Sequence, residues 1–147
     1  MFIAKNKDLI IFASQTREEL EQALQFMVYT SIEETEVEYE LYNGEYLTRE
    51  EIEQKERERL NKLSLTKREV FLAIYRDKQI TPEQIRSMLT SEEAKIEFDY
   101  ANDYFRGNPL IGQLGMALGY TPYQLDKLFE TGEIPQEENN KEEINAN

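Results

Sequence analysis

The first third of the chain alternates between apolar and polar positions with the period of β-strands. The stretches FIAK and LIIFAS lie on either side of the polar turn NKD, which predicts a β-hairpin. In EVEYELYNGEYL, apolar residues alternate with glutamates. Asn43-Gly44 in that stretch is a pair that tolerates positive φ in a tight turn. The pattern predicts a second hairpin with one solvent-exposed face.

Between the two hairpins the apolar positions recur at the helical interval. Thr16 and Glu19 have the spacing of a capping box. Leu20, Leu24 and Met27 then fall on one face of the predicted helix. Two hairpins and one helix give a small α+β lobe over residues 1–47.

From Thr48 onwards the period is helical. A charged segment over 48–64 offers few apolar residues, which predicts a solvated connecting helix rather than a coiled coil. Over 65–132, threonines precede apolar helical patterns and glycines follow them, which predicts about five short helices. The segment 133–147 is rich in acidic and amide residues and poor in apolar ones, which predicts a disordered tail. The predicted fold class is therefore α+β, with a hairpin lobe, a connecting helix, a helical bundle and a tail.

Two parts of the helical region are similar in sequence. The sequences ITPEQIRSML at 80–89 and YTPYQLDKLF at 120–129 align at an offset of 40 residues. A repeated helical pair and a coincidence of good capping sequences both account for this similarity.

Composition narrows the classes of function. The chain has 147 residues, 17 of them basic and 30 acidic, for a net charge of −13. Such a charge disfavours binding to phosphate backbones. The sequence has no cysteine and no histidine, which removes thiolate nucleophiles and the commonest metal ligand and general base. We expect no catalytic residue, no metal, no cofactor and no membrane segment, and therefore a protein that is not an enzyme.

The stretch ALGYTPYQLDKLFETGE at 117–133 has the outline of a helix-turn-helix. Its second helix carries one lysine and two acidic residues, whereas helices that read DNA present basic and amide side chains. The favoured interpretation is therefore that these two helices pack against each other. Transcriptional regulation is the least favoured of the functions considered.

The first candidate binding surface is KIEFDYANDYFRGNPL at 95–110. A helical face through Phe98 and Phe105 accounts for the core residues. Tyrosine and arginine are residues that anchor protein interfaces, although a tyrosine-rich core is the alternative. The predicted partner-binding residues here are Asp99, Tyr100, Asp103, Tyr104 and Arg106.

The second candidate surface is the acidic hairpin. Its residues Glu36, Glu38, Glu40 and Tyr42 form either a solvated face that keeps the protein soluble or a surface that imitates the charge of nucleic acid. An imitation of that kind blocks the basic groove of a nuclease.

Three stretches carry a resemblance to a known group of proteins: IEETEVEYELYNGEYLTREE, LSLTKREVFLAIY and FDYANDYFRGNPLIG. Up to about Glu133 the chain resembles uncharacterised small bacteriophage and prophage proteins of low-GC bacteria, encoded near tail or tail-fibre genes. The resemblance implies a phage setting, in the host cytoplasm or on the virion. The expected partner is a protein, either a phage tail protein or a host defence protein, and the oligomeric state stays open.

Overall fold

The computed structural model describes residues 1–136 and shows an α+β chain divided into two units. The first unit is Met1–Arg57, and the second begins at Glu58. The elements are β1 (Phe2–Asn6), β2 (Leu9–Ser14), α1 (Arg17–Ala23), a 3-10 turn (Leu24–Phe26), β3 (Ser31–Glu34), β4 (Glu40–Tyr42), β5 (Glu45–Leu47), α2 (Arg49–Asn61), β6 (Ser64–Thr66), α3 (Lys67–Lys78), α4 (Pro82–Ser87), α5 (Glu92–Tyr100), β7 (Asp103–Phe105), α6 (Pro109–Leu118) and α7 (Pro122–Thr131). The division falls inside α2, so the predicted connecting helix belongs partly to each unit. The predicted α+β class is confirmed.

The first unit contains a three-stranded antiparallel sheet in the order β2-β1-β3. The strands β1 and β2 make the predicted first hairpin, with Phe2 opposite Ser14 and Asn6 opposite Leu9. The strand β3 pairs with the other side of β1, which the sequence pattern did not predict. A small core lies between this sheet and α1. Its residues are Ala4, Leu20 and Leu24, with Phe2, Ile11, Phe12 and Ile32 packed around them.

The second hairpin is shorter than predicted. It consists of β4 and β5, with Tyr42 opposite Glu45 and positive φ at Asn43 (48°) and Gly44 (86°). The preceding residues are not paired in this hairpin because the chain turns at Thr35, whose hydroxyl accepts the Val37 N–H at 3.1 Å. The tight turn was predicted correctly, and the length of the strands was not.

In the described part of the second unit, the five helices α3 to α7 follow α2, in agreement with the prediction of about five short helices. The threonines before α3, α4 and α7 each complete a capping box with the Glu or Gln three residues later. The helices enclose one apolar core. Its buried residues are Val70, Ala73, Ile74, Ile85, Leu89, Ala94, Phe98, Tyr104, Leu110, Ile111, Leu114, Leu118, Tyr120, Leu125, Leu128 and Phe129.

A strand pair that the sequence did not predict lies within this unit. The strands β6 and β7 are antiparallel, with Leu65 opposite Tyr104. The helix α5 ends at Tyr100 because Ala101 is extended (φ −70°, ψ 137°). Residues 103–105 therefore follow the alternation of a strand, which turns Tyr104 inward and Phe105 outward.

The two segments that are similar at an offset of 40 residues belong to two similar helical pairs, α3 with α4 and α6 with α7. The caps Gln79 and Gly119, which end the first helix of each pair, both have left-handed backbones. Matched positions are buried in both pairs. These positions are Val70 with Leu110, Ile74 with Leu114, Ile85 with Leu125, and Leu89 with Phe129.

The first residues of the predicted disordered tail pack against the second unit. Ile134 lies against the apolar core, and the Gln124 side-chain amide donates to the Pro135 carbonyl at 3.0 Å. The Gln136 amide donates to Asp77 at 2.9 Å. The prediction of disorder from residue 133 therefore began too early, and its remainder, 137–147, lies outside the described residues.

Candidate functional site

Tyr104 belongs to the core and not to a binding surface. Its side chain is 0% exposed, and its hydroxyl donates to the Phe98 carbonyl at 2.9 Å. Burial raises the pKa of Tyr104 to about 12. The prediction that Tyr104 binds a partner is wrong, because the chain at this point is a strand rather than a continuation of α5.

Asp99 and Arg106 are bonded within the second unit. Both oxygens of Asp99 accept from Arg86, at 2.9 and 3.0 Å, and the hydrogen bond from this guanidinium lowers the pKa of Asp99. Arg106 Nε lies 2.7 Å from Asp126, and the two side chains are 12% and 18% exposed. A partner could reach these charges only by competing with bonds that already exist.

Tyr100 and Asp103 are the exposed members of the predicted set. Tyr100 is 81% exposed, and Ile96, one turn earlier on α5, is 57% exposed. Asp103 faces solvent on β7, next to a 54% exposed Phe105. The predicted five-residue surface is thus reduced to scattered exposed side chains.

The predicted acidic surface is exposed in the first unit. Glu38 accepts from the Gln15 amide at 2.7 Å, Glu40 lies 3.3 Å from Arg49, and the half-buried Tyr42 hydroxyl bonds to Glu56. Glu36 is exposed. Residues 1–57 contain 6 basic and 14 acidic residues, so this unit carries a net charge of −8.

An apolar run that the sequence analysis missed is the most unusual surface of the first unit. Phe26, Met27, Val28 and Tyr29 are consecutive and are 97%, 42%, 79% and 45% exposed. The helical pattern had placed Met27 on the inward face of α1. That placement is wrong, because α1 ends at Ala23 and a 3-10 turn follows.

Both ends of the apolar run are fixed. Leu24 is buried before it, with 4% of its surface exposed. After it, the Thr30 N–H and hydroxyl donate to the Lys5 carbonyl at 2.7 and 3.1 Å, and the Lys7 N–H donates to the Thr30 hydroxyl at 2.9 Å. The run is therefore a loop held in place on β1.

A groove of about 450 Å³ borders the apolar run. Met27 and Tyr29 line it, and the Arg17–Glu21 ion pair, with atoms 2.9 Å apart, lies at its edge. Phe26 and Val28 alternate with these groove residues and are much more exposed. The loop thus combines an open groove of mixed polar and apolar lining with two protruding apolar side chains, and exposed apolar side chains rimmed by polar ones are typical of a contact site for a protein.

The two helices α6 and α7 do have the outline of a helix-turn-helix. The helix α6 contains no charged residue. In α7, Lys127 Nζ lies 4.0 Å from Glu130, and Asp126 holds the nearby Arg106. These helices offer little positive charge to a phosphate backbone.

Comparisons do not relate the chain to a known fold or activity. No protein-family description, curated protein or solved structure matches it. Within residues 1–136, no three side chains of the metal-binding types Asp, Glu, His and Cys are grouped so as to hold a metal ion. No helix in this same part is long and apolar enough to cross a membrane.

Proposed function

We propose that this chain is a non-enzymatic protein-binding protein of a bacteriophage or prophage, and that it acts as an accessory or assembly factor of the tail. The observation that carries the binding function is the exposed apolar run Phe26–Tyr29. The phage setting rests on the resemblance of stretches such as FDYANDYFRGNPLIG.

The apolar run has the properties of a binding anchor. Aromatic and methionine side chains are enriched in the centres of protein interfaces, where a few of them supply most of the binding free energy. Each buried Phe or Tyr removes roughly 150 to 250 Å² from water. Because Leu24 and Thr30 already fix the loop, little conformational entropy is lost when a partner covers it.

A second candidate function is inhibition of a host immune nuclease. The observation that favours it is the net charge of −8 on the first unit, together with the acidic run, which we define as Glu33, Glu34, Glu36, Glu38 and Glu40. The side chains of Glu34 and Glu36 make no salt bridge within residues 1–136. An inhibitor of this kind would bind a basic groove through these carboxylates.

The salt dependence of partner binding distinguishes the two candidate functions. Tagged protein is used to capture partners from phage-infected host lysate, the captured proteins are identified, and the binding of each purified partner is then measured at low and high ionic strength. An apolar anchor predicts binding that survives high salt, whereas an acidic anchor predicts binding that falls steeply.

Two variants test whether the apolar run is the surface that binds the partner. Phe26→Ser with Val28→Ser removes the protruding side chains of the apolar run, and Leu41→Ser is the matched control because Leu41 is 63% exposed elsewhere in the same unit. We expect the double variant alone to lose the tail partner. Equal binding by the double variant and the control would overturn the proposal, and a salt-sensitive nuclease as the partner would support the second candidate.

A further inference from the structure

The outer face of α3 is basic and aromatic in an otherwise acidic chain. Arg68, Leu72, Tyr75 and Arg76 follow one another at the spacing of one helical face. Both arginines are exposed, and Tyr75 is 50% exposed. Arginine and tyrosine are the residue types most enriched at the energetic centres of protein interfaces.

In the described chain, the two arginines are not held by hydrogen bonds or salt bridges. Neither makes a hydrogen bond or a salt bridge with any of residues 1–136, although the chain contains 30 acidic residues. Eight residues of α-helix separate them by about 12 Å. Two guanidinium groups and a tyrosine ring are therefore available together on this face.

The acidic neighbours on α3 are engaged in other bonds. Glu69 accepts the Thr66 N–H at 2.8 Å and its hydroxyl at 2.9 Å, and the backbone bond is the main reason that its pKa is lowered. Asp77 accepts the Tyr120 hydroxyl at 2.7 Å and the Gln136 amide at 2.9 Å. These carboxylates make no salt bridge to the arginines, although the charge of Arg68 contributes to the lowered pKa of Glu69.

A cleft of about 240 Å³ lies beside Arg76. Its lining includes Ala73, Gly132 and Ile134, and also the acidic residues Asp77 and Glu133. The cleft gives a partner side chain room next to the guanidinium group. A carboxylate that reached Arg76 from the exposed face of α3 would form a charge-assisted hydrogen bond with it, whereas Asp77 and Glu133 oppose a second negative group inside the cleft.

We propose that the outer face of α3 binds the acidic run of a second copy of this chain. The complementary charges are both present in one sequence: two arginines without salt bridges on α3, and Glu34 and Glu36 without salt bridges in the first unit, among the described residues. Each copy offers one surface of each kind, so the contact joins two unlike surfaces, and the assembly is either closed, with a reciprocal dimer as its smallest form, or an open chain.

A second copy fits this face better than a nucleic acid does. The second unit is itself not basic, since residues 58–136 contain 10 basic and 12 acidic residues. Two arginines release few counterions from a duplex. Repulsion between the net charges of two copies is screened beyond about 8 Å at physiological salt, so close ion pairs decide the contact.

Sedimentation velocity of the full chain over a concentration series at physiological salt tests the proposal. We expect the wild type to self-associate, and Arg68→Glu with Arg76→Glu to associate at least about tenfold more weakly. Glu34→Lys with Glu36→Lys should do the same. An equimolar mixture of the two variants should associate again, because the two reversed surfaces are complementary to each other and each variant also keeps one intact surface.

The control is Lys62→Glu with Lys95→Glu, which changes the net charge equally at sites outside α3. Far-UV circular dichroism confirms that each variant is folded. The proposal is overturned by a wild type that stays monomeric, by variants that associate as the wild type does, or by a mixture that associates no more strongly than either variant alone. It is also overturned if a labelled DNA duplex binds the wild type and not the α3 variant.

Discussion

Replacing Tyr104 with alanine should strongly destabilise the second unit, whereas the same change at Tyr100 should not. Tyr104 is fully buried, and its ring centre lies 6.2 Å from that of Phe71. Truncating a buried aromatic side chain to alanine costs about 3 to 5 kcal/mol of unfolding free energy.

The phenylalanine variant divides this loss into two parts. Tyr104→Phe keeps the ring and removes only the hydroxyl, which donates to the Phe98 carbonyl at 2.9 Å. The loss of one such bond lowers the unfolding free energy by about 0.5 to 1.5 kcal/mol. The remaining loss in the alanine variant, about 2 to 4 kcal/mol, is the packing of the ring.

Tyr100 provides the matched comparison from the same stretch of sequence. It is the last residue of α5 and is 81% exposed, and substitutions at such positions usually change stability by less than about 0.5 kcal/mol. Urea unfolding monitored by far-UV circular dichroism measures all three variants. The reasoning is refuted if the Tyr100 and Tyr104 alanine variants unfold at the same midpoint, or if Tyr104→Phe loses as much as Tyr104→Ala.

Three further changes test other parts of the second unit. Burial raises the pKa of Tyr104 to about 12, so the contribution of the neutral phenol to stability is complete below the unfolded pKa of about 10 and is lost between these two values as pH rises. In unfolding measured over an alkaline pH series, the free energy of unfolding should therefore decline less for Tyr104→Phe than for the wild type. Gly115→Ala should be about 1 to 3 kcal/mol less stable than Gly112→Ala in urea unfolding, because both gain helix propensity but only the methyl at 115 comes within 2.6 Å of a buried leucine. Ending the chain after Gly132 leaves the buried Gln124 amide without its acceptor, and calorimetry should show a loss of about 1 to 3 kcal/mol.

Local sequence signals predicted most of the elements correctly. The capping boxes at Thr66, Thr81 and Thr121 are all present, because a cap depends on residues only three apart. The Asn43-Gly44 turn was likewise predicted from two residues that adopt positive φ. Each of these signals is contained within a few consecutive residues.

The candidate site was predicted less well, because the wrongly predicted residues are placed by contacts between distant parts of the sequence. The pairing of Leu65 with Tyr104 joins strands far apart in the sequence, and it changes the period of residues 103–105 from helical to alternating. That change turns Tyr104 into the core. The apolar run was missed for a similar reason, since the end of α1 at Ala23 leaves Met27 outside the helix to which its spacing had assigned it.

The two helical pairs share their caps and their buried positions but differ where the helices approach each other. Gly115 lies so close to Leu125 that an added Cβ would come within 2.6 Å of it, and the residue 40 positions earlier is Tyr75, which is half exposed. A glycine at this point lets α6 and α7 pack closely, whereas the larger side chain on α3 faces solvent. This difference gives α6 a close contact with α7 and leaves α3, which also contributes buried residues to the core, with an aromatic residue on its outer face beside Arg76. If the pairs arose from one ancestral unit, this position is where packing and surface recognition diverged.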